Sequence, residues 1–161
     1  MTHPFTIRRA TLDGVETLVE LRHAMQVEMH EGDHGVSPDD IIGQMREYFT
    51  KQLTGFHFAA FLAEADGKVI GTGGMVVFDV PPSPSNPGGA EGYVMNMYTV
   101  PEWRGRGVAH AIVDTVVRHA YHEGARRMWL RTSEEGESVY ERFGFKKRDH
   151  YMQMYLHDYK P

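Results

Sequence analysis

The sequence contains no cysteine among its 161 residues. That absence excludes a disulfide framework, a thiolate metal site and a cysteine nucleophile. No apolar run approaches the length of a transmembrane helix, and residues 1–9 lack the apolar centre of a signal peptide. We therefore expect a cytoplasmic protein with no membrane partner.

Positive charge is also scarce, because 17 lysine and arginine residues stand against 22 aspartate and glutamate residues, for a formal net charge of −5. This balance argues against a nucleic acid as the main partner. The length predicts one domain over residues 1–161 with a core of its own. A Pro-, Ser- and Gly-rich segment at residues 81–89 is too short for a domain linker and is interpreted as a surface loop beside the functional site.

Hydrophobic periodicity and turn residues divide the chain into strands and helices. Strands are predicted at residues 5–10, 56–64, 69–80, 92–100, 128–131, 145–147 and 151–157. Helices are predicted at about residues 13–29, 38–53, 108–122 and 135–143. This order combines hairpins with one β-α-β unit, and it indicates an α/β or α+β class with a mixed sheet and helices on both faces.

Two helix starts carry capping signals. Thr11 or Asp13 can cap the first helix, since their side-chain oxygens can accept from free backbone N–H groups. Ser37 followed by Pro38 is typical of the first residues of a helix. The second helix is therefore expected to begin at Pro38.

The second and third strands are predicted to form a hairpin. Asp66-Gly67 between them is typical of a tight two-residue turn. The third strand contains three closely spaced glycines, which predict a bulge or a close backbone approach. These are Gly71, Gly73 and Gly74.

The stretch Asn96–Ala109 carries the strongest functional signal. An apolar run predicts a buried strand that ends at Pro101, which has no N–H to donate to a sheet. Arg104-Gly105-Arg106-Gly107 follows, and a helical pattern begins at once. Free N–H groups at a helix N-terminus, flexible glycines and two arginines are suited to binding phosphate.

Two common nucleotide loops do not fit this turn. A Walker-type loop ends in Gly-Lys-Ser/Thr, which this stretch lacks. A dinucleotide fingerprint requires a third glycine three positions after Gly107, where His110 stands, and it usually follows the first strand of a domain. The pattern that remains is Arg-x-x-Gly-x-Ala, formed by Arg104, Gly107 and Ala109.

This pattern resembles the pyrophosphate motif of the GNAT family of acyl-CoA-dependent N-acetyltransferases, Gln/Arg-x-x-Gly-x-Gly/Ala. The extended form of that motif, Val-x-Pro-x-x-Arg-Gly-x-Gly, is close to the stretch Val100–Gly107. A second family pattern, Leu-Tyr-Glu-Lys-x-Gly-Phe, is similar to Val139–Phe145, with Val for Leu and Arg for Lys. The order of elements over the whole chain is similar too.

The resemblance implies a GNAT-like fold, with a central, mixed but mostly antiparallel, twisted sheet of about six to seven strands and about four helices on its two faces. It implies acetyl-CoA as the co-substrate and no metal. It implies a primary amine of a small molecule or peptide as the acceptor. A homodimer through the C-terminal strands is one assembly that the family allows.

The resemblance also places acetyl-CoA along the central strand and at the turn that follows. Pantetheine would lie beside that strand like an extra strand, and the sheet is expected to splay where Asn96 interrupts the apolar run. Ser133 and Gly136 stand where the family often has Asn and Ala, and Ser133 would contact the pantetheine region. The implied cofactor-binding residues are Tyr98, Thr99, Val100, Arg104, Gly105, Arg106, Gly107, Val108, Ala109 and Ser133.

Tyr140, in the second motif, is implied as the general acid. A phenol with a pKa of ~10 can protonate a thiolate whose acid has a pKa of ~8.5 when the reaction drives the transfer. Because the chain has no cysteine, direct transfer in a ternary complex is expected rather than a covalent enzyme intermediate.

The acceptor is expected to bind near the connection between the first two helices, which lines the acceptor side in the family. An acidic cluster there, Glu28, Glu31 and Asp33 with His34, suits an amine. We take Glu28, Glu31 and Asn96 as candidate acceptor-binding residues. The general base stays open between one of these groups and a water relay, and the cluster could equally be a solvated loop.

Two alternative functions stay open at this point. The string His30-Glu31-Gly32-Asp33-His34 matches the zinc-hydrolase motif His-Glu-x-x-His, but that motif requires a continuous helix, which Gly32 and the next helix start at Ser37-Pro38 argue against. A protein of the same fold could also bind acyl-CoA without catalysis, or could hydrolyse it or use another acyl chain. The presence of Tyr140 favours a catalyst.

Overall fold

A computed structural model describes residues 4–32, 34–148 and 151–156 of the chain. Five strands form one sheet in the order β1-β2-β3-β4-β5. The first four pair antiparallel, and β5 pairs parallel to β4. The strands are β1 Thr6–Arg9, β2 Phe58–Ala65, β3 Lys68–Asp79, β4 Ala90–Thr99 and β5 Arg127–Leu130.

Four α-helices and two short 3₁₀ turns connect these strands. The helices are α1 Val15–Glu28, α2 Pro38–Leu53, α3 Val108–His122 and α4 Glu134–Phe143. The 3₁₀ turns are Leu12–Gly14 and Pro101–Trp103. Within the described residues, no helix is long and apolar enough to cross a membrane.

The two predicted helix starts have different outcomes. Ser37 caps α2, since its hydroxyl oxygen accepts a hydrogen bond from the Asp40 N–H at 3.1 Å. The prediction of a Thr11 or Asp13 cap was wrong. A 3₁₀ turn precedes α1, Thr11 makes no side-chain cap bond, and Asp13 lies inside that turn.

The sheet is covered on both faces, as the alternation of β2 makes clear. Phe61 and Ala63 pack in the cluster that contains Ile112 and Val116 of α3. Phe58, Ala60 and Leu62 point the other way, into the cluster formed with α1 and α2. Because successive strand residues face opposite sides, a strand buried on both faces has the continuous apolar sequence found here.

The expectation of six to seven strands was wrong, because residues 145–148 and 151–156 form no strand. The Phe145 N–H donates to the carbonyl of Tyr140 and so completes the end of α4 instead of a sheet ladder. Tyr151, Met152 and Leu156 are exposed, so these side chains cover no apolar surface. Residue 157, the last of the predicted strand, lies outside the described residues, as does Asp33.

Candidate active site

A β-bulge in β4 opens the sheet at Asn96. Asn96 has a φ of 53°, which asparagine tolerates better than most residues. The β3–β4 register passes from Gly74↔Met95 to Thr72↔Tyr98, so two residues of β4 oppose Gly73. Pairing with β5 ends at Val94↔Leu130, which leaves the rest of β4 without a strand partner on that side in the described structure. The expected splay is confirmed.

A narrow slot lies against this open edge of β4. It has a volume of about 110 Å³. The slot brings the implied acid Tyr140 together with three of the implied cofactor-binding residues, which come from distant parts of the sequence. Its lining consists of Met97, Tyr98, Thr99, Ala109, Gly136, Val139 and Tyr140.

Tyr140 is held in the last turns of α4 at the side of the slot. Its carbonyl accepts hydrogen bonds from the Gly144 N–H at 3.1 Å and the Phe145 N–H at 3.0 Å. Its ring meets the Phe145 ring edge-on, with 6.0 Å between centroids. Burial raises the pKa of Tyr140 to about 12, and the nearby Tyr93 phenol adds to the rise. The hydroxyl therefore holds its proton at neutral pH.

The Gly-rich turn leads into α3 with the geometry of an anion site. Gly105 and Gly107 have φ angles of 72° and 83°, and a Cβ on either would meet nothing within 4 Å. Gly107 is the N-cap of α3 without a side-chain cap bond, and no acidic residue lies in the first turn. The first N–H groups of a helix have no intrahelical partner, so those of Val108 and Ala109 can bind an anion.

The two arginines of this turn have different surroundings. The Arg104 guanidinium forms an ion pair with Glu28 at 2.7 Å and donates to the Thr99 carbonyl at 2.9 Å. Arg106 is exposed, with its guanidinium carbon 4.9 Å from the Trp103 ring centroid. Arg106 is thus the side chain of the turn with its charge turned to solvent.

Glu28, predicted as an acceptor-binding residue, is engaged with the Gly-rich turn. Besides the Arg104 ion pair, it accepts a hydrogen bond from the Tyr98 hydroxyl at 3.3 Å. Burial, followed by the Glu28 charge, raises the pKa of Tyr98. Glu31, the other acidic candidate, is exposed beyond the end of α1.

Val100 and Ser133, two further residues predicted to bind the cofactor, form hydrogen bonds within the protein. The Val100 N–H donates to the Ile70 carbonyl at 3.0 Å. The Ser133 hydroxyl caps α4, accepting from the Gly136 N–H at 3.3 Å. Contacts from these residues to a cofactor remain predictions, and the Val100 N–H is already committed to the sheet.

A second, larger cavity lies between α1, α2 and β4, with a volume of about 600 Å³. Asn96 is 9 % exposed, and its side-chain oxygen accepts a hydrogen bond from Arg22 of α1. The cavity is lined by Arg22, Gln26, Ile41, Gln44, Met45, Tyr48, Phe49, Tyr93, Met95 and Asn96.

Sequence reasoning included only Asn96 of this lining among the site residues. Arg22 shares the helical spacing of the apolar positions Leu18 and Met25. A charge on an apolar helix face was the signal that could have identified it. The segment 81–89 contributes no residue to the lining described for either cavity, and its place beside the site stays a prediction.

The His30–His34 string does not form the helix that a zinc hydrolase requires. α1 ends at Glu28, and His30 has a φ of 49°. Two histidines four residues apart share a face only on a continuous helix. Among the described residues, no group of three or more His, Cys, Asp or Glu side chains could hold a metal ion.

Comparisons with known proteins agree with this architecture. The sequence profile of the Acetyltransferase (GNAT) family matches residues 20–145. A comparison with curated proteins gave no match.

Solved structures give the same fold. A predicted acetyltransferase with acetyl-CoA from Clostridium acetobutylicum is 28% identical, with a TM-score of 0.84, over 96% of this chain and 98% of that one. A GCN5-related N-acetyltransferase from Ralstonia eutropha is 23% identical, with a TM-score of 0.82, over 94% and 99%. Glucosamine-6-phosphate N-acetyltransferase from Arabidopsis thaliana is 19% identical, with a TM-score of 0.68, over 94% and 98%. This chain belongs to the GNAT family of acetyltransferases and is an acyltransferase.

Proposed function

We propose that the protein transfers the acetyl group of acetyl-CoA directly to a primary amine of a small molecule or peptide. One observation carries the proposal. The slot beside the open edge of β4 contains Tyr140 and is lined by Met97 of β4. The two residues that precede Met97 in β4, Met95 and Asn96, line the larger cavity. A co-substrate in the slot and an acceptor in the cavity would thus meet at one point of β4.

The residues of the Gly-rich turn fit the pyrophosphate of acetyl-CoA. The N–H groups at the start of α3 are uncapped, and the two glycines leave open space in front of them. Arg106 adds an exposed positive charge. Pantetheine would lie along the unpaired edge of β4 near Tyr98 and Thr99. When bound, acetyl-CoA supplies an activated acetyl thioester.

Tyr140 is the proposed proton donor to the departing sulfur. The phenol is protonated at neutral pH, and because burial raises its pKa, collapse of the tetrahedral intermediate must drive the transfer of its proton to sulfur. Burial beside the slot also limits competition from water. The acceptor amine must lose a proton to attack, and we propose water as its recipient, because the described cavity lining includes no carboxylate or imidazole.

The activity test is a thiol-release assay with acetyl-CoA over a panel of amino acids, other small amines, polyamines and aminoglycosides. Amine-dependent release of CoA, with the acetylated amine identified by mass spectrometry, is the expected result. Binding of acetyl-CoA without release across the panel would favour the non-catalytic alternative. Release that is independent of any amine would favour hydrolysis.

The acid role is tested with Tyr140→Phe, which removes only the hydroxyl. We expect kcat to fall about 100-fold or more, the usual contribution of a general acid. Tyr121→Phe is the matched control, because Tyr121 is exposed on α3 and outside both cavities. Equal turnover of the two variants, with chemistry rate-limiting, would remove Tyr140 from this role.

The cofactor site is tested with Gly107→Glu, which places a negative side chain where phosphate is proposed to bind. Gly67→Glu is the control, because Gly67 has a similar φ of 73°, also faces open space, and lies in the remote β2–β3 turn. Both variants carry the same backbone strain and charge change. We expect loss of acetyl-CoA binding by calorimetry only in Gly107→Glu, and intact binding there would refute the assignment.

A further inference from the structure

We propose that the acceptor carries an oxyanion, a carboxylate or a phosphate, in addition to its amine, and that Arg22 binds that group. This inference rests on the proposed function, because it names the class of acceptor for the same site. It replaces the expectation of an acidic acceptor pocket, because one predicted member of that pocket, Glu28, forms an ion pair with Arg104.

Arg22 differs from the other arginines of the chain. All of the arginines lie in the described part, and only Arg22 is half-buried while the rest are exposed. Among the described residues, Arg22 has no carboxylate within ion-pair distance, whereas several exposed arginines do have one. Those paired arginines are Arg8, Arg46, Arg104, Arg118 and Arg127.

Burying part of a cation without a counter-ion costs free energy, because the charge loses hydration. A neutral hydrogen-bond partner compensates only part of that loss. The polar partner found for Arg22 is the neutral amide oxygen of Asn96. That contact uses one of the five N–H donors of a guanidinium. The remaining donors can bind an oxyanion in the bidentate geometry that arginine favours.

The position of Asn96 explains how Arg22 is presented to the cavity. The β-bulge holds Asn96 with a φ of 53° and buries its side chain at the cavity wall. Its amide oxygen therefore fixes one side of the guanidinium. Arg22 and Asn96 both line the cavity, so the guanidinium is available to a ligand there.

The rest of the cavity suits a small molecule with an apolar part and no excess of positive charge. Ile41, Met45 and Phe49 provide apolar walls, and Gln26 and Gln44 provide neutral amides. None of the residues described in the lining is acidic. A polyamine or aminoglycoside would bring several cations to a cavity that already holds one, so like charges would repel.

The cavity and the slot that contains the proposed acid are lined by consecutive residues of β4. Tyr93 lines the cavity, and its phenol is the second cause of the raised pKa of Tyr140. An acceptor held by Arg22, which contacts Asn96, would thus lie next to the part of β4 where the slot begins. The oxyanion acts as an anchor, and the amine is the reacting group.

The test compares acceptors that differ only in the oxyanion. Phenylalanine is paired with phenethylamine and leucine with isoamylamine, while glucosamine 6-phosphate is paired with glucosamine and phosphoethanolamine with ethanolamine. The first two pairs test a carboxylate and the last two a phosphate. We expect kcat/KM to be at least about 10-fold higher for the oxyanion member in one of the two classes, from a charge-assisted contact.

Variants at Arg22 assign the preference to this residue. Arg22→Gln should raise KM for the preferred oxyanion acceptor about 30-fold, with a much smaller effect on kcat and on the matched simple amine. Arg22→Lys should restore part of the affinity, because it keeps the charge but loses the planar fork. Arg118→Gln, on the exposed surface of α3, is the control for loss of one positive charge.

Asn96→Asp provides a second variant that keeps Arg22. An aspartate also tolerates positive φ, and its carboxylate would neutralise Arg22 from within. We expect a higher KM for oxyanion acceptors and a smaller preference over simple amines. An unchanged preference in both Arg22→Gln and Asn96→Asp would overturn the inference, as would equal use of both members of every pair by the unmodified protein.

Ligand-observed NMR with the same compounds separates this inference from the proposed function. If no amine is acetylated, binding of phenylalanine or glucosamine 6-phosphate that is lost in Arg22→Gln supports the oxyanion site while the proposed function fails. If amines are acetylated but binding of the oxyanion compounds does not depend on Arg22, the proposed function stands and the inference fails.

Discussion

Replacing Gly73 with alanine should destabilise the protein at the point where its sheet opens. Gly73 lies in β3 opposite the bulge of β4. A Cβ at this position would lie within 3.0 Å of the Met97 sulfur and of Ile112 Cγ2. Real Cβ atoms essentially never approach other heavy atoms so closely, so at least one neighbour must move.

The size of the effect depends on which neighbour can move. Ile112 is fully buried in α3 and β-branched, so it has little freedom. Met97 is flexible and can turn away, but it also lines the slot. Overpacking of this kind costs about 1–3 kcal/mol, and alanine regains part of that by its lower backbone entropy. A net loss of about 1–2 kcal/mol is therefore expected.

Urea unfolding followed by fluorescence measures this change, with the m-value as a check on two-state behaviour. Gly43→Ala is the control, because Gly43 lies within α2 and a Cβ there would meet nothing within 4 Å. That variant should gain up to about 1 kcal/mol from helix propensity. Equal stability of Gly73→Ala and the unmodified protein would refute the packing argument. If Met97 moves, it changes the lining of the slot. We therefore expect a raised KM for acetyl-CoA in Gly73→Ala and not in Gly43→Ala.

Two further predictions concern the proposed acid and the helix beside the larger cavity. Because burial raises the pKa of Tyr140 to about 12, kcat/KM should keep its alkaline plateau beyond pH 10, and a fall centred near the usual phenol value of ~10 would contradict that raised pKa. Ser37→Ala removes the oxygen that accepts from the Asp40 N–H and should lower the free energy of unfolding by about 1 kcal/mol. Ser138→Ala, inside α4 and exposed, is the control for that measurement, and equal losses in the two serine variants would exclude a cap effect.

Most elements could be predicted because their signals are local. Ser37-Pro38 started α2, and Asp66-Gly67 formed the hairpin turn, with φ angles of 50° and 73°. Periodicity alone could not decide the C-terminal strands. Residues 151–156 have the aromatic and apolar side chains of a strand, but such a run becomes a strand only where a sheet edge and an apolar surface are both available.

The side of the candidate site proposed for the cofactor follows from a local sequence pattern, whereas the side proposed for the acceptor does not. The Gly-rich turn is one continuous stretch, so its glycines and helix start can be recognised together. Arg22 and Asn96 are 74 residues apart in sequence, and Glu28 and Arg104 are 76 apart. No local pattern indicates that Glu28 pairs with Arg104, or that Arg22 contacts the Asn96 amide and no carboxylate of the described residues.

The sequence by itself determined the turn from Arg104 to Ala109, because positive φ at glycine and the free N–H groups of a helix start are properties of neighbouring residues. It also determined Tyr140 as the candidate acid through a second short motif. Only the tertiary structure decided which charges are paired. An ion pair depends on where α1 crosses β4 and the turn that follows, and that crossing is set by packing across the whole sheet. The charge left facing the cavity, Arg22, is a result of that packing.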